Sequence, residues 1–151
     1  MSTKNSVVIG LAAAVTMILA GCGGANAPEE PSPAIVKAIA GSPVQQVQLT
    51  ERAMRRLGIA TSAIRAAKVT LADRTGRYKV IPYSAVVYDA NGSTWAYLTT
   101  AARTFVRQRI TVGAIEGSNA ILTAGPAVGS AVVSVGASEL LGTEYNISGE
   151  E

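Results

Sequence analysis

The stretch SAVVYDANGSTWAYLT, residues 84–99, decides the fold class of this chain. Asn91 and Gly92 stand between two runs rich in β-branched and aromatic residues, and both tolerate the positive φ that a tight turn needs. Beyond the turn, residues 95–98 alternate between aromatic and aliphatic side chains, which is typical of a strand with two unlike faces. The stretch therefore predicts a β-hairpin.

Similar β-rich segments, separated by turn residues, occupy most of the chain after Gly58. The predicted strands span residues 59–71, 78–81, 84–88, 95–99, 104–112, 120–123 and 131–135. A turn is predicted at residues 73–76. Thr50 is placed to cap a helix of about two turns that ends at Gly58, and residues 138–142 can form one further helical turn. The sequence thus predicts a mainly β fold, a small β-roll or barrel-like domain of about six or seven strands with one short helix.

Glycines punctuate the apolar segment GPAVGSAVVSVG at residues 125–136. A phosphate-binding loop would require a strand, a glycine loop and a long helix in succession. Here predicted strands separate the glycines, which favours turns over a phosphate site. The predicted turn glycines of the chain are Gly92, Gly125, Gly129 and Gly136.

The N-terminus has the pattern of an export signal. Lys4 precedes a mostly apolar run at residues 7–20, and the run ends in LAGC, residues 19–22. LAGC resembles the bacterial lipobox, which implies cleavage before Cys22 and a diacylglyceryl group on its thiol. A buried free thiol is the alternative role for Cys22, the only cysteine of the chain. We therefore expect an extracytoplasmic lipoprotein of the cell envelope, held on a membrane by the lipid on Cys22.

Composition divides the chain into four segments. Residues 1–21 are the predicted signal peptide. Residues 22–43 are predicted to be the lipidated cysteine and a flexible, proline-rich tether that is too polar to bury a core. Residues 44–145 form the predicted β-domain, and residues 146–151 form a polar tail.

The residue inventory argues against catalysis. The chain has no histidine, and its single cysteine is assigned to the lipid, so the usual nucleophile systems and the common zinc and copper sites lack their residues. Its carboxylates are scattered, among them Asp73, Asp89, Glu116, Glu139 and Glu144. With 13 basic and 10 acidic residues, the charge excess is too small to indicate a nucleic-acid-binding protein. We expect no enzyme activity, no metal and no cofactor.

Several short motifs follow one another in order between residues 44 and 141. They are Val47-x-Leu49-Thr50, Leu57-Gly58-Ile59-x-Thr61, Ile81-Pro82-x-x-Ala85-Val86, Asn91-Gly92, Trp95-Ala96-Tyr97-Leu98, a segment from Phe105 to Gly113, and one from Ala124 to Leu140. Together they resemble the membrane-proximal β-domain of periplasmic adaptor (membrane fusion) proteins of efflux systems. In that family this domain packs against the extracytoplasmic face of a transporter.

The chain departs from the adaptor pattern between Thr61 and Tyr78. A full adaptor inserts a barrel, a lipoyl-like domain and a long helical hairpin there, and none of these fits into about sixteen residues. The resemblance therefore implies a lipid-anchored protein-interaction module that docks on a membrane transporter and cannot bridge to an outer-membrane channel by itself.

Two other functions stay open. A small-ligand-binding lipoprotein of the cell envelope is the main alternative, and it requires a deep apolar pocket with a few convergent polar groups. A hydrolase or transglycosylase that uses two carboxylates requires a pair of them across a cleft.

Two sets of residues are candidates for the interaction surface. Basic side chains on the predicted helix and near one predicted strand either face anionic headgroups or an acidic partner, or only maintain solubility. They are Arg52, Arg55, Arg56, Arg103, Arg107 and Arg109. Trp95, Tyr97 and Phe105 either line an interface, where aromatic residues are enriched, or pack in the core.

Overall fold

The computed structural model of the protein describes residues 32–145. Within this range the chain is mainly β, as its sequence predicts. The strands are β1 (Ala34–Ala38), β2 (Gln45–Leu49), β3 (Ala60–Ala63), β4 (Arg65–Leu71), β5 (Arg74–Pro82), β6 (Val87–Tyr88), β7 (Thr94–Ala101), β8 (Thr104–Arg109), β9 (Thr111–Glu116), β10 (Asn119–Ala124) and β11 (Ala131–Val135). The helices are α1 (Glu51–Leu57) and α2 (Ala137–Glu144), and a 3₁₀ turn spans Tyr83–Ala85.

The strands form two open antiparallel sheets. In the larger sheet the order is β1-β2-β8-β7-β11-β3, and β6 pairs with β7. The smaller sheet has the order β4-β5-β10-β9. The chain passes between the sheets at Ile64, after β3, and at Ile110, after β8, and both side chains are buried. These crossings allow the two sheets to share a core.

The larger sheet has a hydrophobic core on each face. Neighbouring residues of a strand point to opposite sides, so Tyr97 and Val133 enter one core while Ala96 and Val132 enter the other. Side chains of α1 and α2 cover the first core, and the smaller sheet covers the second. The alternation of residues 95–98 therefore separates two cores, which is why both of its faces are apolar.

Local hydrogen bonds account for the helix and the hairpin that the sequence predicts. Thr50 Oγ1 accepts a hydrogen bond from Ala53 N at 3.1 Å, and Gly58 ends α1 with a φ of 61°. Between β6 and β7, Gly92 has a φ of 74°, and the Asp89 carboxylate accepts hydrogen bonds from two backbone amides of the turn. Both predictions are confirmed.

The turn glycines Gly129 and Gly136 differ in how much room their surroundings leave for a side chain. Gly129 and Gly136 have φ values of 90° and 85°, which side chains rarely adopt. A Cβ on Gly136 would lie 2.2 Å from Ile59 Cδ1, whereas a Cβ on Gly129 would meet no atom within 4 Å. Gly136 is therefore required both by its backbone conformation and by the packing of Ile59.

The structure corrects the predicted number of strands and several boundaries. Residues 32–145 form eleven strands instead of about six or seven, and their sheets are open rather than closed into a barrel. The predicted strands 59–71 and 104–112 are each two strands in different sheets. Alternation continues through Ile64 and Ile110, so it does not reveal that the chain changes sheet there.

Two smaller corrections concern a turn and the last helix. The turn predicted at residues 73–76 lies at Ala72 and Asp73, whose φ values are 45° and 64°, and Gly76 lies inside β5. A second helix, α2, has eight residues and passes through Gly142, where the sequence predicts one helical turn. Packing against the first core stabilises α2 beyond its local propensity.

The folded region begins before the predicted boundary at residue 44. Along its whole length β1 pairs with β2, from Ala34 opposite Leu49 to Ala38 opposite Gln45. The predicted tether is therefore wrong from Ala34 onward, because five residues beside a proline-rich segment are too short a pattern to indicate a strand without its partner. The predicted signal peptide, Cys22 and the tail 146–151 lie outside the described residues.

Candidate interaction surfaces and the buried ionic cluster

A buried ionic cluster joins the end of α2 to the larger sheet. Glu144 is 2% exposed, and its Oε1 accepts hydrogen bonds from Arg107 Nε at 2.9 Å and from Gln45 N at 3.0 Å. Its Oε2 accepts a hydrogen bond from the Tyr97 hydroxyl at 2.5 Å. A buried carboxylate is tolerated only with such donors around it. The cluster therefore fixes α2 against β2, β7 and β8.

Aromatic rings enclose the cation of this cluster. The Arg107 guanidinium lies 4.6 Å from the ring centre of Trp95 and 5.1 Å from that of Tyr145. Trp95 is held in turn by a 2.9 Å hydrogen bond from its Nε1 to Asp89 Oδ2. Arg107 Nη1 is buried and has no hydrogen-bond partner among residues 32–145. One carboxylate and two ring faces thus supply most of the stabilisation of this cation.

The shifted pKa values in and around the cluster lie further from neutral pH than the ordinary values of the same groups. Burial, followed by the hydrogen bond to Glu144, raises the pKa of Tyr97 well above its ordinary 10.0. For Arg107, burial is the largest single effect and would lower the pKa, but the attraction and hydrogen bond of Glu144 together with the interactions of Tyr145 outweigh it and raise the pKa. The hydrogen bond from Trp95 is the main reason that the pKa of Asp89 is lowered. Tyr97 and Arg107 therefore act as fixed donors and do not exchange protons at neutral pH.

The structure corrects the placement of Arg107 on an interaction surface. Its side chain is only 6% exposed and is paired with Glu144. On β8 it occupies the same face as Phe105 and Arg109, so alternation alone does not distinguish a buried arginine from an exposed one. The partner that allows its burial lies 37 residues away in sequence.

The other five predicted arginines are exposed and lie in two places. Three of them, Arg52, Arg55 and Arg56, are on α1, where Arg55 pairs with Glu51. Arg103 lies beside the start of α1, because its carbonyl accepts a hydrogen bond from Leu49 N at 2.9 Å. Arg109 lies at the opposite end of β8 and donates to Ser93 Oγ at 3.2 Å. Their role in binding a partner stays a prediction.

The aromatic residues predicted for either an interface or the core belong mainly to the core. Tyr97 and Phe105 are buried in the core beneath the helices. Trp95 is partly buried against the same core and stacks on Arg107. The core alternative is therefore correct for Tyr97 and Phe105.

Exposed apolar side chains gather instead where the 3₁₀ turn packs on β11. Tyr83, Tyr88 and Val135 are 41%, 49% and 51% exposed. Tyr83 and Tyr88 are close enough for a hydrogen bond between their side chains to raise the pKa of Tyr88. Ser84 Oγ donates to the Ser134 carbonyl at 2.7 Å, which brings Val135 beside the turn. These three residues, here named the Tyr83 patch, are not among the sequence-predicted sites.

A cleft of about 610 Å³ opens between β1, β2, α1 and α2. Its walls are mainly apolar and include Val36, Leu49 and Leu57, and the charged residues that line it are Arg56 and Glu139. The volume is typical of small-molecule sites. Since Glu139 is the only carboxylate among the described lining residues, this cleft lacks the carboxylate pair that a hydrolase needs.

A further basic region lies on the hairpin formed by β4 and β5 and is likewise absent from the predicted surfaces. Its sequence RAAKVTLADRTGRYK, residues 65–79, contains five basic residues and one acidic residue. The segment is here named the basic hairpin. The concentration of basic residues along the sequence indicates the basic hairpin. The β-rich pattern of the same segment predicts only that it forms strands.

Comparison with known proteins returns no relative. No protein-family model matches the chain, and no curated protein or solved structure is significantly similar to it. The resemblance to efflux adaptors therefore stays a prediction. In the part of the chain that the structure describes, no helix is long and apolar enough to cross a membrane, and no group of three or more His, Cys, Asp or Glu side chains could hold a metal ion.

Proposed function

We propose that the protein is a lipid-anchored extracytoplasmic interaction module that docks on a membrane transporter through the Tyr83 patch. The patch itself carries the proposal, because two tyrosines and a valine are each about half exposed on neighbouring elements. Exposed apolar clusters that contain aromatic residues are typical of protein interfaces. Tyrosine suits such a surface, since its ring buries apolar area while its hydroxyl keeps a polar partner.

The remaining observations favour binding over catalysis. The most strongly perturbed groups, Tyr97 and Arg107, are enclosed in a cluster that fixes α2 and have no access to a substrate. The LAGC motif at residues 19–22 supplies the membrane anchor, and the adaptor resemblance supplies the class of partner.

Photo-crosslinking in native membranes tests the docking. We expect a photoreactive amino acid in place of Tyr88 in the full chain to capture a transporter subunit, identified by mass spectrometry. The additional change Val135→Arg should abolish capture, because an interface would have to desolvate the new charge. Ile115→Arg is the matched control, since Ile115 is a similarly exposed aliphatic residue on β9. Capture that survives Val135→Arg, or that yields no transporter, would contradict the proposal.

Membrane fractionation tests the anchor separately. Cys22→Ser should move the protein from the membrane to the soluble fraction or leave the signal uncleaved by the lipoprotein route. A Cys22→Ser protein that keeps the membrane location and lipid mass of the wild type would exclude lipidation at this residue.

Small-ligand binding is a second candidate, which the cleft between β1, β2, α1 and α2 favours. Its apolar walls and its two charged residues, Arg56 and Glu139, fit a small amphiphile. Native mass spectrometry of the purified protein should then show a bound molecule that Val36→Trp displaces, because Val36 lines the cleft and is only partly buried. Protein that is purified with an empty cleft, and whose melting temperature no amphiphile raises, would remove this candidate.

A further inference from the structure

Positive charge is concentrated in the basic hairpin. Residues 65–79 hold five of the 13 basic residues of the chain and one of its 10 acidic residues. The rest of the chain therefore has 8 basic and 9 acidic residues and is nearly balanced. The net positive charge of this protein arises from one hairpin, although the total suggests only a mild excess.

Three of the five cations of the hairpin lack a side-chain partner within the described domain. The side chains of Lys68, Arg74 and Arg77 are exposed and make no hydrogen bond or ion pair with residues 32–145. The Arg65 side chain donates a 3.3 Å hydrogen bond to the side-chain oxygen of Asn119, and Lys79 Nζ donates one to the Gly125 carbonyl at 2.5 Å. The three unpaired charges therefore contribute little to the fold that carries them.

The strand register places two of these cations directly opposite each other. Lys68 on β4 pairs with Arg77 on β5, and like charges in this arrangement oppose strand pairing. The neighbouring pairs on the same face are Ala66 with Lys79 and Thr70 with Thr75, which is a small, polar and cationic set. This face of the hairpin thus has the composition of a surface that meets anions.

The opposite face of the hairpin carries apolar residues, with Arg65 and Arg74 at its two ends. Val80 is buried on this face, and Leu71 reaches β9, where its Cδ2 lies only 2.7 Å from the position of a Cβ on Gly113. The apolar part of this face is thereby occupied within the smaller sheet.

The face that carries Lys68 and Arg77 is not exposed along its whole length. On β5 it continues to Ile81, which is buried in the core between the two sheets. The exposed part of the hairpin is therefore its outer half, with Lys68, Arg77 and Arg74, and this part can meet a partner.

We propose that the basic hairpin binds the anionic phospholipid headgroups of a bilayer. Its cations lie on both faces and are spread along seven strand pairs, about 20 Å, which is too far for one phosphate group to contact them all but matches an extended charged surface. Near an anionic membrane each Lys or Arg strengthens partitioning roughly fivefold. The inference goes beyond docking on a transporter, because it requires neither the Cys22 lipid nor a protein partner.

Vesicle co-sedimentation of residues 23–151 provides the test. This fragment contains both sheets and both cores but neither the signal segment nor Cys22. We expect binding to vesicles of phosphatidylcholine with about one-third phosphatidylglycerol, no binding to pure phosphatidylcholine, and a loss of binding as salt increases. Replacing two cations with Lys68→Gln and Arg77→Gln should weaken binding to the anionic vesicles roughly 25-fold.

A matched pair of single variants separates the hairpin from net charge. Lys68→Gln alone should weaken binding roughly fivefold. Lys37→Gln removes the same charge from an exposed position on β1, outside the hairpin, and should leave vesicle binding nearly unchanged. Equal losses in the two single variants would overturn the proposal in favour of diffuse attraction. A wild-type fragment that does not bind anionic vesicles would overturn the proposal in favour of an acidic protein partner. Since no transporter is present, neither result bears on the proposed docking.

Discussion

The α2 end of the domain and the basic hairpin place their positively charged side chains in opposite environments. Arg107 is buried, and Glu144, Trp95 and Tyr145 surround it. Lys68 and Arg77 are exposed and face each other across two strands. A buried cation must be compensated inside the fold, because water cannot solvate it. Exposed like charges need no internal partner and slightly oppose strand pairing, so they point to a partner outside the molecule.

The largest expected effect tests the buried side of this contrast. Glu144→Ala removes the carboxylate that pairs with Arg107 and should lower the free energy of unfolding by about 3–5 kcal/mol, because it leaves a buried cation uncompensated. Urea denaturation measures the change. Glu139→Ala, at an exposed position of the same helix, should change stability by less than about 0.5 kcal/mol. Equal losses in the two variants would show that the ionic cluster does not hold α2.

The start of α2 should be the next most sensitive position. Gly136→Val combines a strained positive φ with a clash against Ile59 and should cost about 2–4 kcal/mol. Gly129→Val has the strain without the clash and should cost about 1–2 kcal/mol. Thermal unfolding of the two variants compares them. Unchanged melting temperatures in both would contradict the strand–turn–strand assignment of residues 125–136.

High pH should weaken the ionic cluster through Tyr97. Its pKa is raised in the folded state, so its contribution to stability is complete below the ordinary pKa of 10.0 and decreases as pH rises above that value. Tyr97→Phe should cost about 1–2 kcal/mol at neutral pH and should flatten the decline above pH 10. Urea denaturation across this pH range measures both effects. An identical decline in wild type and Tyr97→Phe would exclude Tyr97 as its source.

The smallest expected effect has the opposite sign and lies on the hairpin. Lys68→Glu replaces a like-charge pair with an attractive one opposite Arg77 and should stabilise the domain by about 0.2–1 kcal/mol. Lys37→Glu is the control, because Lys37 is an exposed lysine on β1 that faces Gln46. Urea denaturation again provides the measurement. A destabilised Lys68→Glu protein would mean that the hairpin cations support the fold after all.

Signals that act over a few residues allowed part of the fold to be predicted. Thr50 and Gly58 bound α1 because capping needs only the adjacent backbone amides and one left-handed residue. The turn between β6 and β7 forms at Gly92 because the positive φ of 74° that it requires resides in that one residue. The strand at residues 131–135 follows from its β-branched composition. The charge cluster at residues 65–79 is also evident in the sequence, although the fold decides which of its side chains are exposed.

Contacts between distant residues decided what the sequence could not. Alternation reports which residues share a face, but not which sheet a face belongs to, so the changes of sheet at Ile64 and Ile110 appear only in the structure. The burial of Arg107 could not be predicted from local sequence either, because it depends on a carboxylate 37 residues further along the chain. The pairing of Lys68 with Arg77 depends on the register that the turn at Ala72 and Asp73 imposes. Local propensity thus determined turns, caps and strand composition, whereas tertiary packing assigned each charged side chain to the core or to the surface.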